Sequence, residues 1–281
     1  MLTLNDYEIG AIATRILNMP KYKDVQIPAE TVRGLIENCL PISKNPADLT
    51  KRVREKLHNV VAPYLGDLDY RGASDEFSRI QDDPSAIREF ALRALACHSS
   101  TKERGAELAS LYRLLFEKTG TPTSIADLAC GLHPLGLPFM DLPTDAAYYA
   151  YVLHKERADF LNAFITGLQY KGGCFHRDIL VNPPDEKFDV AFFFKEAHRF
   201  EKREPGVLTR FVDSINADKI VVSLPARGFG SSSQIAPKYG MILSAHAQER
   251  GFMMDDMELG NEVFYIISRP KQSVILKERS D

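Results

Sequence analysis

The stretch Ser124-Ile-Ala-Asp-Leu-Ala-Cys-Gly-Leu-His-Pro-Leu-Gly-Leu-Pro138 decides the fold of this 281-residue chain. Ser124 to Ala129 reads as a short buried strand carrying one carboxylate, Asp127, and it runs into a Cys130-Gly131 turn. A strand that breaks at glycine and feeds a helix lets the backbone approach a nucleotide-like ligand at the carboxyl end of a parallel sheet. The spacing is not Gly-x-Gly-x-x-Gly, so a dinucleotide is not the first expectation.

Downstream of this motif, apolar runs alternate with amphipathic ones. Strands are expected at 124–130, 146–153, 173–178, 188–194 and 219–225, with helices near 154–168, 199–216 and 234–250. That alternation predicts a parallel α/β sheet. The ending differs, because Gly251 to Leu259 and Glu262 to Ser268 flank Gly260-Asn261, a tight hairpin signal. Upstream, residues 5 to 118 show helical periodicity only: Ile9, Ile12, Ala13 and Ile16 share one face, and Val32, Leu35, Ile36 and Cys39 share another. The chain therefore divides into an all-helical domain at 1–118 and an α/β domain at 119–281.

Apolar residues make up 44% of the chain and charged ones 26%, enough for a sizeable core. A net charge of −3 gives no global attraction to nucleic acid, so any RNA contact must come from a local patch. The helix expected at 46–63 offers one, with Lys51, Arg52, Arg54 and Lys56 opposite its apolar side. Cys39, Cys97, Cys130 and Cys174 are widely spaced with no Cys-x-x-Cys pair, which predicts reduced thiols and no metal site. No apolar run approaches the roughly 20 residues of a membrane span. The N-terminus lacks a basic-then-apolar signal, so a soluble, cytoplasmic protein without membrane contact is expected.

Several stretches then match one family in order: His98 to Arg104, the 124–140 motif, Tyr151-x-x-His154, Asp178-Ile179, Asp189 to Lys195, Glu201, Val222-Ser223-Leu224-Pro225 and Gly260 to Tyr265. Asp-x-Ala-Cys-Gly-Leu is the pattern that cradles S-adenosylmethionine in class I methyltransferases. The series closely resembles the aminoglycoside-resistance 16S rRNA methyltransferases, which modify N7 of a decoding-site guanine. The resemblance implies a Rossmann-like methyltransferase domain closed by the antiparallel hairpin, preceded by a helical domain that docks on 16S rRNA in the small ribosomal subunit. A monomer is expected.

It further implies that Arg104, Asp127, Ala129, Gly131, Val152, Leu153, Asp178 and Ile179 surround S-adenosylmethionine. Arg104 would pair with the donor's carboxylate, and Asp178 would lie near the adenine amino group. Lys195, Glu201, Arg227 and Ser232 fall at positions that face the target nucleotide. Guanine N7 carries a free lone pair, so no catalytic base is expected, and His133 and His154 read as wall residues. Two positions depart from the family pattern. Val152 stands where the family has an aspartate for the ribose hydroxyls, and Ser232 where it has a basic residue. These set out a second reading: a relative that binds rRNA or the ribosome without efficient methyl transfer.

Overall fold

Phe188–Phe194 shows why the sheet forms: every residue of this strand except Asp189 is buried. Strands covered on both faces read as continuous apolar runs, the pattern of a parallel sheet between two helical layers. A computed structural model describes residues 2–62, 68–97, 99–102, 104–226 and 235–270. Its strands are β1 (Ser124–Asp127), β2 (Ala147–Val152), β3 (Lys171–His176), β4 (Phe188–Phe194), β5 (Ala217–Pro225), β6 (Met253–Leu259) and β7 (Glu262–Ser268). They lie in the order β3-β2-β1-β4-β5-β7-β6. β1 to β5 run parallel, and β7 enters antiparallel between β5 and β6. The expected sheet and its terminal hairpin are present. Asp189 fixes the start of β1, accepting from the backbone N–H of Thr123 at 2.8 Å and of Ser124 at 3.1 Å.

The N-terminal helices are α1 (Asp6–Leu17), α2 (Pro20–Lys23), α3 (Ala29–Cys39), α4 (Pro46–Val61), α5 (Tyr70–Ile80), α6 (Pro84–Leu95), α7 (Ser99–Lys102) and α8 (Leu108–Thr119). Asn5, Asn45, Asp69 and Asp83 cap their N-termini through side-chain oxygens, each cap typically worth about 1 kcal/mol. Within the sheet region come α9 (Lys155–Gly167), α10 (Ala197–Arg203), α11 (Val207–Ser214) and α12 (Ile235–Arg250). Among the described residues, no helix is long and apolar enough to cross a membrane.

Three differences from the expected elements have local causes. β3 begins at Lys171 rather than 173 because Gly172 and Gly173 are strand residues. A Cβ at Gly172, whose φ is +96°, would stand 2.3 Å from the Tyr148 carbonyl oxygen on β2. Glycine here serves a close strand contact and not a turn. The strand ends at His176, so Asp178 lies past it. The single helix expected at 199–216 is broken at Glu204-Pro205-Gly206, where proline removes a backbone donor.

The expected division near 118 does not follow the packing. Residues from Ile9 to Val61 form a core of their own. Helices α5, α6 and α8 instead bury Tyr70, Phe77, Phe90, Leu111 and Tyr112 against one face of the sheet. Phe193, Phe200, Phe211 and Leu243 cover the other face. The packing boundary therefore falls between α4 and α5. β6 forms the free edge of the sheet beyond β7, with Asp255, Asp256 and Glu258 exposed along it.

Candidate active site

At the carboxyl ends of β1 to β4 a cavity of about 460 Å³ opens. Asp127, Ala129 and Gly131 reach it from the turn after β1, Val152 and Leu153 from the end of β2, Asp178 and Ile179 from beyond β3, and Arg104 from between α7 and α8. All eight positions expected around the methyl donor thus lie on one wall system. The turn is tightly wound: Ala129 has φ +53° and Gly131 φ +57°. A non-glycine residue in this region stores of order 1–3 kcal/mol, which a surrounding structure must hold in place.

Behind the turn runs a buried polar chain. Tyr148 donates to Asp127 Oδ2 at 2.6 Å, His133 Nδ1 meets the same oxygen at 2.9 Å, and the Tyr112 hydroxyl lies 2.9 Å from His133 Nε2. With Nδ1 protonated, His133 donates to Asp127 and accepts from Tyr112. Burial, then the nearby Asp127 carboxylate, pushes the Tyr148 hydroxyl well above its usual range, so it stays a donor. Among the described residues, Asp127 Oδ1 has no hydrogen-bond partner. Such an orphaned buried acceptor marks a place for a ligand or water donor.

Arg104 is only 7% exposed. Its Nε donates to Glu262 Oε2 at 2.8 Å, Nη2 pairs with the other carboxylate oxygen, and the guanidinium stacks 4.7 Å from the Phe194 ring. Burial would raise the Glu262 carboxyl, but the charge of Arg104 and its hydrogen bond outweigh that and hold it below the usual range. No hydrogen bond from Nη1 to another described residue accompanies these contacts. Asp178, expected near adenine, accepts from Arg203 Nη1 at 3.1 Å and Nη2 at 2.5 Å and from the Leu180 N–H at 3.1 Å. Its carboxylate is shared with an arginine that sequence reading did not single out.

The positions expected to face the nucleotide separate. Lys195, between the wall residues Phe194 and Glu196, has φ +61° and sits with Nζ 3.4 Å from Glu262. Glu201 accepts from the N–H groups of Gly206 and Leu208, at 2.9 and 2.6 Å, and so fastens the start of α11. Arg227 and Ser232 lie outside the described residues. The basic stripe also divides. Lys51 and Arg54 are exposed, Arg52 pairs with Asp48 at 3.1 Å, and Lys56 turns to the cavity, where Nζ donates to the Arg203 carbonyl at 3.3 Å.

Of the cavity's roof, sequence reading singled out Lys56 alone, and as an RNA contact. Helix α10 supplies Glu196, His198, Arg199, Lys202 and Arg203, and α4 supplies Lys56, Asn59 and Val60. Arg199 Nη2 joins the two helices through the Asn59 carbonyl at 3.4 Å. Burial, then the charges of Lys202 and Arg199, push His198 down to about 4, so its imidazole is neutral at neutral pH. Lys56 and Arg203 are 147 residues apart and Asn59 and Arg199 are 140, separations no local pattern spans.

The model of the family described as ribosomal RNA methyltransferase (FmrO) matches residues 19–266. The chain belongs to the FmrO family of ribosomal RNA methyltransferases. A 16S rRNA (guanine(1405)-N(7))-methyltransferase from Micromonospora rosea is 30% identical over 275 residues, covering 94% of this chain and 98% of that one. Its counterpart from Frankia casuarinae is 30% identical over 250 residues, covering 86% and 88%. The crystal structure of an rRNA methylase from Escherichia coli superposes with a TM-score of 0.73 at 26% identity, covering 93% of this chain and all of that one. The likeness thus runs along nearly the full length of these relatives.

Proposed function

We propose that this chain transfers a methyl group from S-adenosylmethionine to N7 of a decoding-site guanine in 16S rRNA. The observation that carries the reading is the cavity at the sheet's carboxyl edge, walled by all eight positions that the family pattern assigns to the donor. Its volume of about 460 Å³ lies within the roughly 300–1,000 Å³ typical of small-ligand sites. The orphaned Asp127 Oδ1, the apolar Ile179 and Val152, and the Arg104 guanidinium at the cavity wall together match a ligand with an ammonium, a carboxylate and a base. The donor fits the residues present.

When bound, S-adenosylmethionine supplies an electrophilic methyl carbon on a sulfonium; N7 gains that carbon, and the C–S pair remains on sulfur. The protein's own part is to hold and to exclude. Asp127 and Arg104 grip the zwitterionic end, and Asp178 with Arg203 borders the base of the donor. Neutral His198 avoids adding positive charge near a guanine ring that becomes cationic on methylation. No side chain needs to remove a proton, so positioning accounts for the rate. The exposed Lys51 and Arg54 suit phosphate contacts. The substrate is read as rRNA within the small subunit, the enzyme as a cytoplasmic monomer, and resistance to aminoglycosides as the outcome.

Val152 supports a second reading, a relative that binds rRNA with weak or no methyl transfer, because valine offers the ribose no acceptor. Incubating purified small subunits with isotopically labelled donor, then mapping by primer extension, separates the two. Stoichiometric label at one guanine is expected. Subunit binding with no incorporated label would replace the enzyme reading with the second one.

A further inference from the structure

His133 reads from sequence as a wall residue, yet both of its ring nitrogens are engaged. It is 3% exposed and opens the short 3-10 helix His133–Phe139 behind the glycine turn. Phe192 and Phe194 meet the ring edge-on, with centroids 5.7 and 4.8 Å away, and confine its plane. In that plane Nδ1 lies 2.9 Å from Asp127 Oδ2, and Nε2 lies 2.9 Å from the Tyr112 hydroxyl. Tyr112 comes so close because Gly136 has no side chain: a Cβ there would stand 2.2 Å from the hydroxyl oxygen.

The partners decide which nitrogen carries the proton. A carboxylate accepts and does not donate, so Nδ1 donates to Asp127. Burial, opposed by the charge of Arg104, pushes the Tyr112 hydroxyl above its usual range, and it stays a donor. Nε2 is then the acceptor, and the hydrogen bond at one nitrogen sets the tautomer at the other. The consequence falls on Asp127. Tyr148 and His133 both donate to Oδ2, which fixes the plane of the carboxylate. Oδ1, to which no described residue donates, is left for the occupant of the cavity that Asp127 lines.

We propose that His133 is a positioning residue: anchored by Tyr112 and donating from Nδ1, it turns Asp127 Oδ1 toward the ammonium of the methyl donor. This rests on the reading of the cavity as the donor site. The histidine acts through Asp127 and takes no proton from the substrate. A neutral N–H at this place orients the carboxylate without cancelling its charge, and that charge is what an ammonium meets.

Calorimetry on the full chain tests the assignment with two probes, S-adenosylhomocysteine and its desamino analogue, which keeps the carboxylate. The wild type should bind the desamino analogue about tenfold more weakly, the value of one charge-assisted hydrogen bond. His133→Phe keeps a ring between Phe192 and Phe194 but removes the donor to Asp127. It should bind the desamino analogue as the wild type does and lose most of the discrimination. His133→Asn, whose amide nitrogen takes the place of Nδ1, should restore it. A His133→Phe variant that discriminates as strongly as the wild type, or that weakens both probes alike, overturns the assignment and leaves the cavity reading intact. Failure of the wild type to bind S-adenosylhomocysteine removes the cavity reading itself. If His133→Phe does not fold, nitrogen NMR of the ring-labelled wild type decides. The proton should sit on Nδ1; a bare Nδ1 facing Asp127 would mean a protonated carboxyl with no charge for the ammonium, and overturns the proposal equally.

Discussion

Glu262 ties the hairpin to the cavity wall through Arg104 and Lys195, and all three are nearly buried. Removing one partner of a buried pair leaves the other charge uncompensated, at a cost of about 3–5 kcal/mol. Glu262→Gln should therefore lower the unfolding free energy by that order in urea titrations, without abolishing the fold. The pH dependence has a defined sign. Because the folded carboxyl is held below its usual range, its contribution is complete above the unfolded value of about 4.3 and is lost as pH falls further. The wild type should lose stability on acidification more steeply than the glutamine variant. Parallel titration curves below pH 4 would mean that the pair does not govern acid stability. The bond spans residues 104 and 262, far beyond any periodicity, so neither residue's partner was legible in the sequence.

At the level of elements, much of the sheet was legible. β4 and the core of β5 are continuous apolar runs, and the Gly260-Asn261 turn announces its hairpin. The start of β3 was not, because glycine is a turn signal in sequence and only the adjacent Tyr148 carbonyl makes it a strand residue. Gly172→Ala should destabilise the chain by more than the ~1–3 kcal/mol of a strained dihedral alone, since backbone blocks the new methyl. A melting temperature within a degree of the wild type would contradict that contact. The motif after β1 was equally readable, and its residues line one wall of the cavity. Its roof stayed hidden. α10 and α4 meet only in three dimensions, and α10 looks like an ordinary charged helix until Arg203 is seen on Asp178.

For the whole molecule, the packing boundary between α4 and α5 makes a direct forecast about fragments. A fragment beginning at residue 68 keeps α5, α6 and α8 on the sheet and should unfold cooperatively. One beginning at 119 exposes the surface that Leu111, Tyr112 and Phe90 cover, and it should aggregate; a soluble, cooperative 119–281 fragment would restore the boundary expected from sequence. The helical unit's role can be read separately. Reversing the charge of exposed Lys51 and Arg54 should weaken small-subunit binding and reduce its salt slope by about two, one per lost phosphate contact. Unaltered salt dependence would move the footprint elsewhere. The outer margin of the sheet carries its own consequence. Another strand laid against β6 would press against Asp255, Asp256 and Glu258, a picket of like charges, so ribbon-like growth from that side is discouraged at neutral pH. Acid discharges the picket. The hydrogen bond from Lys118 holds the Asp255 carboxyl below its usual range.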